Sequence, residues 1–285
     1  MTPAPALALP TLTQATFDKF RALIYEKTGI HMRDGKQILV SNRLRKRVSQ
    51  LHLASYEEYY ELLTSGTQAE KEMPHFIDAV STNETYFFRE EKHFSALTRI
   101  ILPELLKKEK RVRIWSAGCS TGEEVYTLRI VADEAAQAAG GAEVQIVGTD
   151  ISTTVIARAR EAIYHDRALR LVPAALLARY FVPAGDGAYQ VRPEIRSRVE
   201  FKVHNLFTDP PPADHINVIF CRNVMIYFDK QTQATLVDGI FARAIHPDGY
   251  LFIGHSESIT GFSKRFRYAA ILKAPIYRPK GEGTP

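Results

Sequence analysis

Two carboxylates stand at positions where a parallel sheet delivers its strand ends. Glu123 follows the apolar run Val112 to Ser116 and the turn Gly118-x-Ser-x-Gly122, and Asp150 closes the run Val144-Gln-Ile-Val-Gly-Thr-Asp150. In a doubly wound sheet the first strand-to-helix turn receives a nucleotide-type ligand, and a carboxylate at the end of the second strand takes the ribose hydroxyls. Glycines in such a turn permit close backbone approach to the ligand. The turn carries Glu123 and Glu124 and no phosphate-anchoring Lys, a departure from Gly-x-Gly-x-x-Gly. Those charges would repel a pyrophosphate and attract a cationic amino group. The pattern points to an adenosine-containing cofactor bearing positive charge, S-adenosylmethionine. A dinucleotide oxidoreductase shares the Asp150 logic, but the acidic turn counts against it.

Later strand ends add polar groups. His204-Asn205-Leu206 closes a third run, where a backbone amide and the Asn205 side chain can read an adenine edge while Leu206 packs on the ring; an ordinary turn is the plain alternative. Cys221-Arg-Asn-Val-Met-Ile-Tyr-Phe228 brings Arg222, Asn223 and Tyr227 out at the switch-point crevice. Ser81-Thr-Asn-Glu-Thr-Tyr-Phe-Phe-Arg89 is a polar start merging into an aromatic run, either a ligand segment or a capped helix with docking aromatics. Asp209-Pro-Pro-Pro212 precedes the fourth strand and ends in proline, so it reads as a rigid turn and not as a base-amine methylation signature. The nine histidines lack paired ligand spacing, and no metal is expected.

These residues need a sheet to hold them. From about Arg111 onward, buried-type runs alternate with helical patterns: Val112 to Ser116, Val144 to Thr149, Val199 to His204, Val218 to Cys221 and Tyr250 to Gly254. A closing strand pair, Tyr268 to Pro279 with Lys273-Ala-Pro275 at its turn, suits a methyltransferase sheet better than a dehydrogenase one. The Pro- and Gly-containing stretch Tyr164 to Arg198 is too long for a simple crossover and predicts an inserted β-subdomain over about 165–198. Ahead of the sheet, residues 13–80 show helical spacing only: Phe17, Phe20 and Ile24 form a stripe, Gly29 is a stop, and Ser55 with Glu58 forms a capping box. The expected fold is therefore α/β: a small all-helical domain, then a doubly wound methyltransferase domain over 81–285 with a terminal antiparallel hairpin. Residues 1–12 are expected to be a disordered tail.

Composition narrows the class. In 285 residues the apolar share is 45% and the charged share 24%, ordinary for a globular protein, and no apolar run approaches the roughly 20 residues of a membrane span. No membrane insertion is expected, and two cysteines without metal spacing suit a reducing cytoplasm. The net charge of +5 is unevenly spread: Lys36, Arg43, Arg45, Lys46 and Arg47 fall in one helical segment without an Asp or Glu. Arg43, Lys46 and Arg47 are expected to share one exposed face without local pairing. The segment lacks the interleaved aromatics that stack bases, so nucleic acid is not the expected partner.

In this order and spacing, the segments resemble the chemotaxis receptor methyltransferases, protein-glutamate O-methyltransferases that use S-adenosylmethionine. The resemblance runs from about residue 13 through Ser81 to Arg89, Ser116 to Glu124, Gly148 to Asp150, Asn205-Leu206, Phe220 to Asp229 and Gly254-His-Ser-Glu257. It implies that Asn83, Thr85, Arg89, Glu123, Asp150, Asn205, Leu206, Arg222 and Asn223 line the cofactor, with Arg89 and Tyr227 nearest the transferred methyl. It also implies S-adenosylhomocysteine as product, glutamate methyl esters that adjust receptor signalling, and an enzyme recruited from the cytoplasm to membrane receptor arrays. The basic helix, through Arg43, Lys46 and Arg47, would face the receptor's helical bundle. Members that tether to a receptor's C-terminal pentapeptide carry a longer Gly-rich loop than Val182 to Tyr189 here, so direct recognition without the tether is expected. A methyltransferase acting on another protein or a small molecule, or a cofactor-binding scaffold, is the alternative.

Overall fold

The computed structural model describes residues 11–139 and 143–281. Most of the expected tail lies outside the described residues. Its last member, Leu12, is buried in the helical core, so the ordered chain starts before Thr13. The chain divides into two compact units, one up to Thr82 and one from Asn83.

In the first unit, four helices follow one another: α1 (Gln14–Thr28), α2 (Gln37–Gln50), α3 (Tyr56–Thr64) and α4 (Ala69–Val80). Local chemistry sets their ends. Thr13 caps α1 by accepting the Thr16 amide, and Gly29 stops it in the left-handed region at φ 71°. Ser55 caps α3 while Glu58 reaches back to the Ala54 amide at 2.8 Å, one residue ahead of a regular capping box. Phe20 lies at the centre of the core, with Tyr59, Tyr60 and Phe76 rings 5.5–6.2 Å away.

The second unit opens with a continuous helical stretch over 91–108, made of α5 (Glu91–Ala96), a π-turn over Leu97–Ile101 and α6 (Leu102–Lys108). Ten strands follow: β1 (Arg111–Ala117), β2 (Glu143–Asp150), β3 (Ile163–Tyr164), β4 (Phe181–Gly185), β5 (Ala188–Val191), β6 (Val199–Val203), β7 (Ile216–Cys221), β8 (Ile245–Ile253), β9 (Phe266–Ile271) and β10 (Ala274–Pro279). Seven build the main sheet in the order β6-β2-β1-β7-β8-β10-β9, parallel from β6 to β8 and antiparallel at β10 and β9. Helix α7 (Glu123–Ala139) crosses from β1 to β2, and α8 (Thr153–Glu161) follows β2. β7 is buried at every residue, as a central parallel strand covered on both faces must be. The order reverses at β1, which has β2 on one side and β7 on the other, so the crevice for a ligand opens above those strand ends.

Two local readings shift. The terminal hairpin turns at Leu272-Lys273, both left-handed (φ 50° and 62°), and not at Lys273-Ala-Pro275; Pro275 lies inside β10 opposite Ala270. The separate sheet β3-β5-β4 recruits Ile163–Tyr164, ahead of the 165–198 expected for the subdomain, through pairing with β5. Its β4–β5 turn is Asp186-Gly187, with φ 49° and 72°, the double left-handed geometry of a tight two-residue hairpin.

Candidate functional site

The turn after β1 folds back on the end of β2. The Gly118 and Cys119 amides both donate to the Thr149 carbonyl at 2.8 Å. Ser120, left-handed at φ 51°, then directs its amide to Asp150 Oδ2 at 2.8 Å, and the Ser152 amide donates to Oδ1 at 3.0 Å. Asp150 is therefore fixed by a backbone amide on each oxygen. Ser152, not Asp150, caps α8. The glycines are also required by packing within the protein. A Cβ at Gly118 would strike the Val224 side chain, and one at Gly122 would meet Ala159 at 2.9 Å and Phe201 at 3.1 Å. Their missing side chains make room for the β7 loop and for α8.

Glu123 and Glu124, adjacent in sequence, face different partners. Glu124 accepts from Ser116 Oγ and from Arg222 Nε, both at 2.7 Å. Glu123 is 4% exposed and accepts from the Thr121 hydroxyl at 2.7 Å, and among the described residues no Lys or Arg pairs with it. Burial raises its pKa against the opposing pull of Thr121. It lines a cavity of about 630 Å³ together with Asn83, Thr85 and Tyr164. Arg158 and Arg167 line the same cavity without an ion pair to Glu123 among the described residues, and a buried carboxylate so placed fits a ligand that brings a cation, as the ammonium of S-adenosylmethionine does. Asn83 is held there by its carbonyl, which accepts from Ser120 Oγ at 2.9 Å.

A second cluster forms around Arg222, which is nearly buried. Its Nε donates to Glu124, and its Nη1 donates to the Arg89 carbonyl at 2.7 Å and lies 3.5 Å from Glu90. Phe94 and Phe220 flank the guanidinium at 5.1 and 5.5 Å. Asn223, left-handed at φ 59°, donates from Nδ2 to Glu90 at 3.3 Å. Nε and Nη1 of Arg222 are thus engaged by protein partners, which fixes the orientation of the guanidinium. Arg89 itself is half-buried, with Nη1 on the Glu84 carbonyl at 3.0 Å. Phe87, expected as a possible docking aromatic, is buried inside this unit between Tyr164 and Phe181.

Tyr227 lies in the one-turn helix Met225–Tyr227 that leaves the Asn223 turn. That turn is clamped by Glu257, whose carboxylate accepts the amides of Asn223 (2.8 Å), Gly254 (2.5 Å) and Ile226 (3.1 Å). A Cβ at Gly254 would meet the Asn223 backbone nitrogen at 2.8 Å and Glu257 Oε2 at 2.6 Å, so the turn would have to shift to accept a side chain there. Burial pushes the Glu257 carboxyl up, although the three amides pull the other way. Asn205 bends the chain after β6: its Oδ1 accepts the Phe207 amide at 3.0 Å, and its own amide donates to Asp209 Oδ2 at 2.9 Å. Leu206 is packed in the cluster that holds Trp115 and Ile219.

Residues 83–274 match the family model described as CheR methyltransferase, SAM binding domain, and residues 15–81 match CheR methyltransferase, all-alpha domain. The chain belongs to the CheR methyltransferase family. It is an enzyme that uses S-adenosylmethionine as its methyl donor. Chemotaxis protein methyltransferase 1 of Pseudomonas aeruginosa is 36% identical over 272 residues, covering 93% of this chain and 98% of that protein. The Escherichia coli chemotaxis protein methyltransferase is 37% identical over 262 residues (90% and 88%), and that of Borreliella burgdorferi 36% over 264 residues (90% and 92%).

Within this CheR-family chain, the basic helix differs from its expected form. Arg47 is paired, not free: Nε and Nη2 grip Glu72 of α4 at 2.6 and 2.5 Å. Arg43 donates to the Val80 carbonyl and, at 2.5 Å, to Thr82 Oγ1. Sequence reasoning looked for acidic partners within the segment, whereas Glu72 arrives from another helix. Lys46 and Arg45 are exposed, so the outward cations of α2 are Arg45 and Lys46. No helix among the described residues is long and apolar enough to cross a membrane.

Two residues of the site were missed. Glu90 directly follows the Ser81 to Arg89 segment, and Glu257 closes Gly254-His-Ser-Glu257, which carried resemblance but no role. A carboxylate next to each polar motif was the available signal.

Proposed function

We propose that this enzyme methylates glutamate side chains on the cytoplasmic helical bundle of chemotaxis receptors, giving methyl esters that adjust receptor signalling. When bound, S-adenosylmethionine supplies a methyl whose C–S bond breaks, leaving its electron pair on sulfur, as a carboxylate oxygen pair forms the ester C–O bond. A glutamate of ordinary pKa near 4.3 is ionised at neutral pH, so the chain need supply no general base. Its residues must desolvate, orient and hold. Asp150 suits the ribose hydroxyls, Glu123 with Asn83 and Thr85 suits the methionine end, and Asn205, Leu206, Arg222 and Asn223 suit the adenosine end.

Arg89 and Tyr227 position the acceptor carboxylate. Both charges fall as the ester forms, so a tight ion pair would stabilise the ground state more than the transition state. Arg89 supports this role because Nη1 is held by a neutral carbonyl, which fixes direction without cancelling charge. The observation that carries the reading is the latch between the Arg89 carbonyl and Arg222, which joins the two segments bearing Arg89 and Tyr227. The helical unit, residues 13–80, recognises the receptor, and residues 81–285 carry the chemistry. The two-residue Asp186-Gly187 turn supports recognition without a pentapeptide tether. The enzyme works in the cytoplasm, at membrane receptor arrays.

The test is transfer of labelled methyl from S-adenosylmethionine to receptor cytoplasmic fragments, followed by mild base. Base-labile label on glutamate is the expected result. Base-stable label would assign another acceptor group, and binding of cofactor without transfer to any receptor fragment would overturn the acceptor class.

A further inference from the structure

Glu90 occupies a backbone geometry that glutamate seldom adopts, φ 60° and ψ 64°. Phe88, two residues earlier, is also left-handed at φ 56°, so Arg89 is carried between two non-glycine residues in the left-handed region. Such geometry costs of order 1–3 kcal/mol per residue and persists only where surrounding contacts impose it. The contacts are identifiable. Glu90 accepts from the His255 amide at 3.2 Å to each oxygen, from Asn223 Nδ2 at 3.3 Å and from Arg222 Nη1 at 3.5 Å, and lies 3.2 Å from His93 Nδ1. Burial would raise its pKa, but the His93 hydrogen bond, the Arg222 charge and the His255 amide outweigh it and hold the carboxyl at about 2. It is therefore ionised throughout the working pH range.

His93 lies on α5, the helix that Glu90 opens, and the other donors come from two separate places in the sheet. Arg222 and Asn223 leave β7, and His255 follows β8. The same turns are joined from below by Glu257, which takes the Asn223, Gly254 and Ile226 amides. Arg222 closes the loop by donating to the carbonyl of Arg89. One carboxylate thus connects the Arg89 backbone to the turn that leads into Tyr227.

We propose that Glu90 is a positioning residue for methyl transfer: by bridging the Arg222-Asn223 turn and the His255 amide, its carboxylate fixes Arg89 relative to Tyr227. This rests on the proposed roles of Arg89 and Tyr227. A displacement of about 1 Å in such a group can cost on the order of 100-fold in rate, without a comparable loss of ligand affinity.

The experiment is a double-mutant cycle on the full-length enzyme, with kcat for receptor fragments, affinity for S-adenosylhomocysteine by titration and Tm measured for each variant. Glu90→Gln is expected to lower kcat roughly 30- to 100-fold, well beyond the smaller loss of S-adenosylhomocysteine affinity that follows from its contacts to Arg222 and Asn223. If Glu90 acts through Arg89, the double variant Arg89→Ala/Glu90→Gln loses no more than Arg89→Ala alone. Glu90→Asp, which keeps the charge on a shorter arm, is expected to recover part of the rate, and it serves as the test variant if Glu90→Gln does not fold. Wild-type kcat in a folded Glu90 variant, additive losses in the cycle, or a loss that follows cofactor affinity would each overturn the proposal. Wild-type activity in Arg89→Ala would instead remove the underlying reading of Arg89.

Discussion

Glu72 and Glu90 are both withdrawn from solvent and both face an arginine, yet their settings are opposite. Glu72 lies on the regular helix α4, takes a two-pronged grip from Arg47 of α2 and accepts the Tyr59 hydroxyl of α3 at 2.9 Å. Every backbone it joins is right-handed helix, although α4 carries Pro74 two residues beyond Glu72. Glu90 lies on left-handed backbone, and its donors sit on turns that leave β7 and β8. In the helical unit the carboxylate ties together elements that already have regular conformations, so its loss should appear as stability. In the sheet unit the carboxylate holds a conformation that local preferences oppose, so its loss should appear as misplacement of Arg89.

The sharpest way to break this contrast is to remove the group that the second hub aims. Arg89→Ala is expected to lower kcat on the order of 100- to 1,000-fold, about 3–4 kcal/mol in the barrier, with Tm little changed. Tyr227→Phe keeps the ring and should lose about tenfold or less. If Arg89→Ala instead unfolded the protein, the Arg89 loop would be structural in the same sense as the α2–α4 pair.

Glu72→Ala should do the reverse, because it leaves Arg47 and the buried Tyr59 hydroxyl without their shared acceptor. A destabilisation of about 2–3 kcal/mol is expected in denaturant unfolding, with kcat per folded molecule retained. Its pH dependence has a definite sign. Burial would raise the Glu72 pKa, but the Arg47 and Tyr59 hydrogen bonds outweigh it, so the folded value lies below the unfolded one. The contribution is present above the unfolded pKa of about 4.3 and is lost as pH falls through the folded value, so wild type and Glu72→Ala should converge in acid. A constant gap at all pH values would show that packing, not the ion pair, carries the effect.

A third carboxylate, Glu123, refines the comparison because it is buried with no ion-pair partner among the described residues. Its pKa is raised by burial, so it should protonate above the ordinary carboxylate value of about 4.3. S-adenosylhomocysteine affinity should therefore weaken as pH falls through that raised value. Glu123→Gln should bind about tenfold more weakly at neutral pH and lose the acid limb of the profile. An unchanged pH profile in Glu123→Gln would remove Glu123 from the ammonium site.

The parts read from sequence are those whose physics is local along the chain. Strand runs such as Val144 to Asp150, the Gly29 stop and the carboxylate at the end of β2 each follow from a few consecutive residues. What could not be read depends on partners distant in sequence. Arg47 has no acidic neighbour on its own helix, and Glu72 reaches it from 25 positions away. Nothing in the turn itself reveals that Val224, Ala159 and Phe201 pack against Gly118 and Gly122. Glu90 and Glu257 carry no periodicity, and their importance appears only when the amides of two strand ends converge on them.

The same distinction decides which cations of α2 remain for a partner. Arg43 and Arg47 are committed within the helical unit, so reversing them would test stability as much as recognition. Ile38, Asn42, Arg45 and Ser49 repeat at helical spacing on the outward side, with Lys46 beside them, and Ile38 is 75% exposed. A surface presenting glutamates would meet Arg45 and Lys46 there, with Ile38 as an apolar contact. The double reversal Arg45→Glu/Lys46→Glu should lower receptor methylation about three- to tenfold at low salt, through slower encounter, and the deficit should shrink as salt screens the charges. Tm and S-adenosylhomocysteine affinity should not move. An equal deficit at all salt concentrations would mean that the variant disturbs the helix itself, and no deficit at low salt would leave Arg45 and Lys46 as a solvated edge.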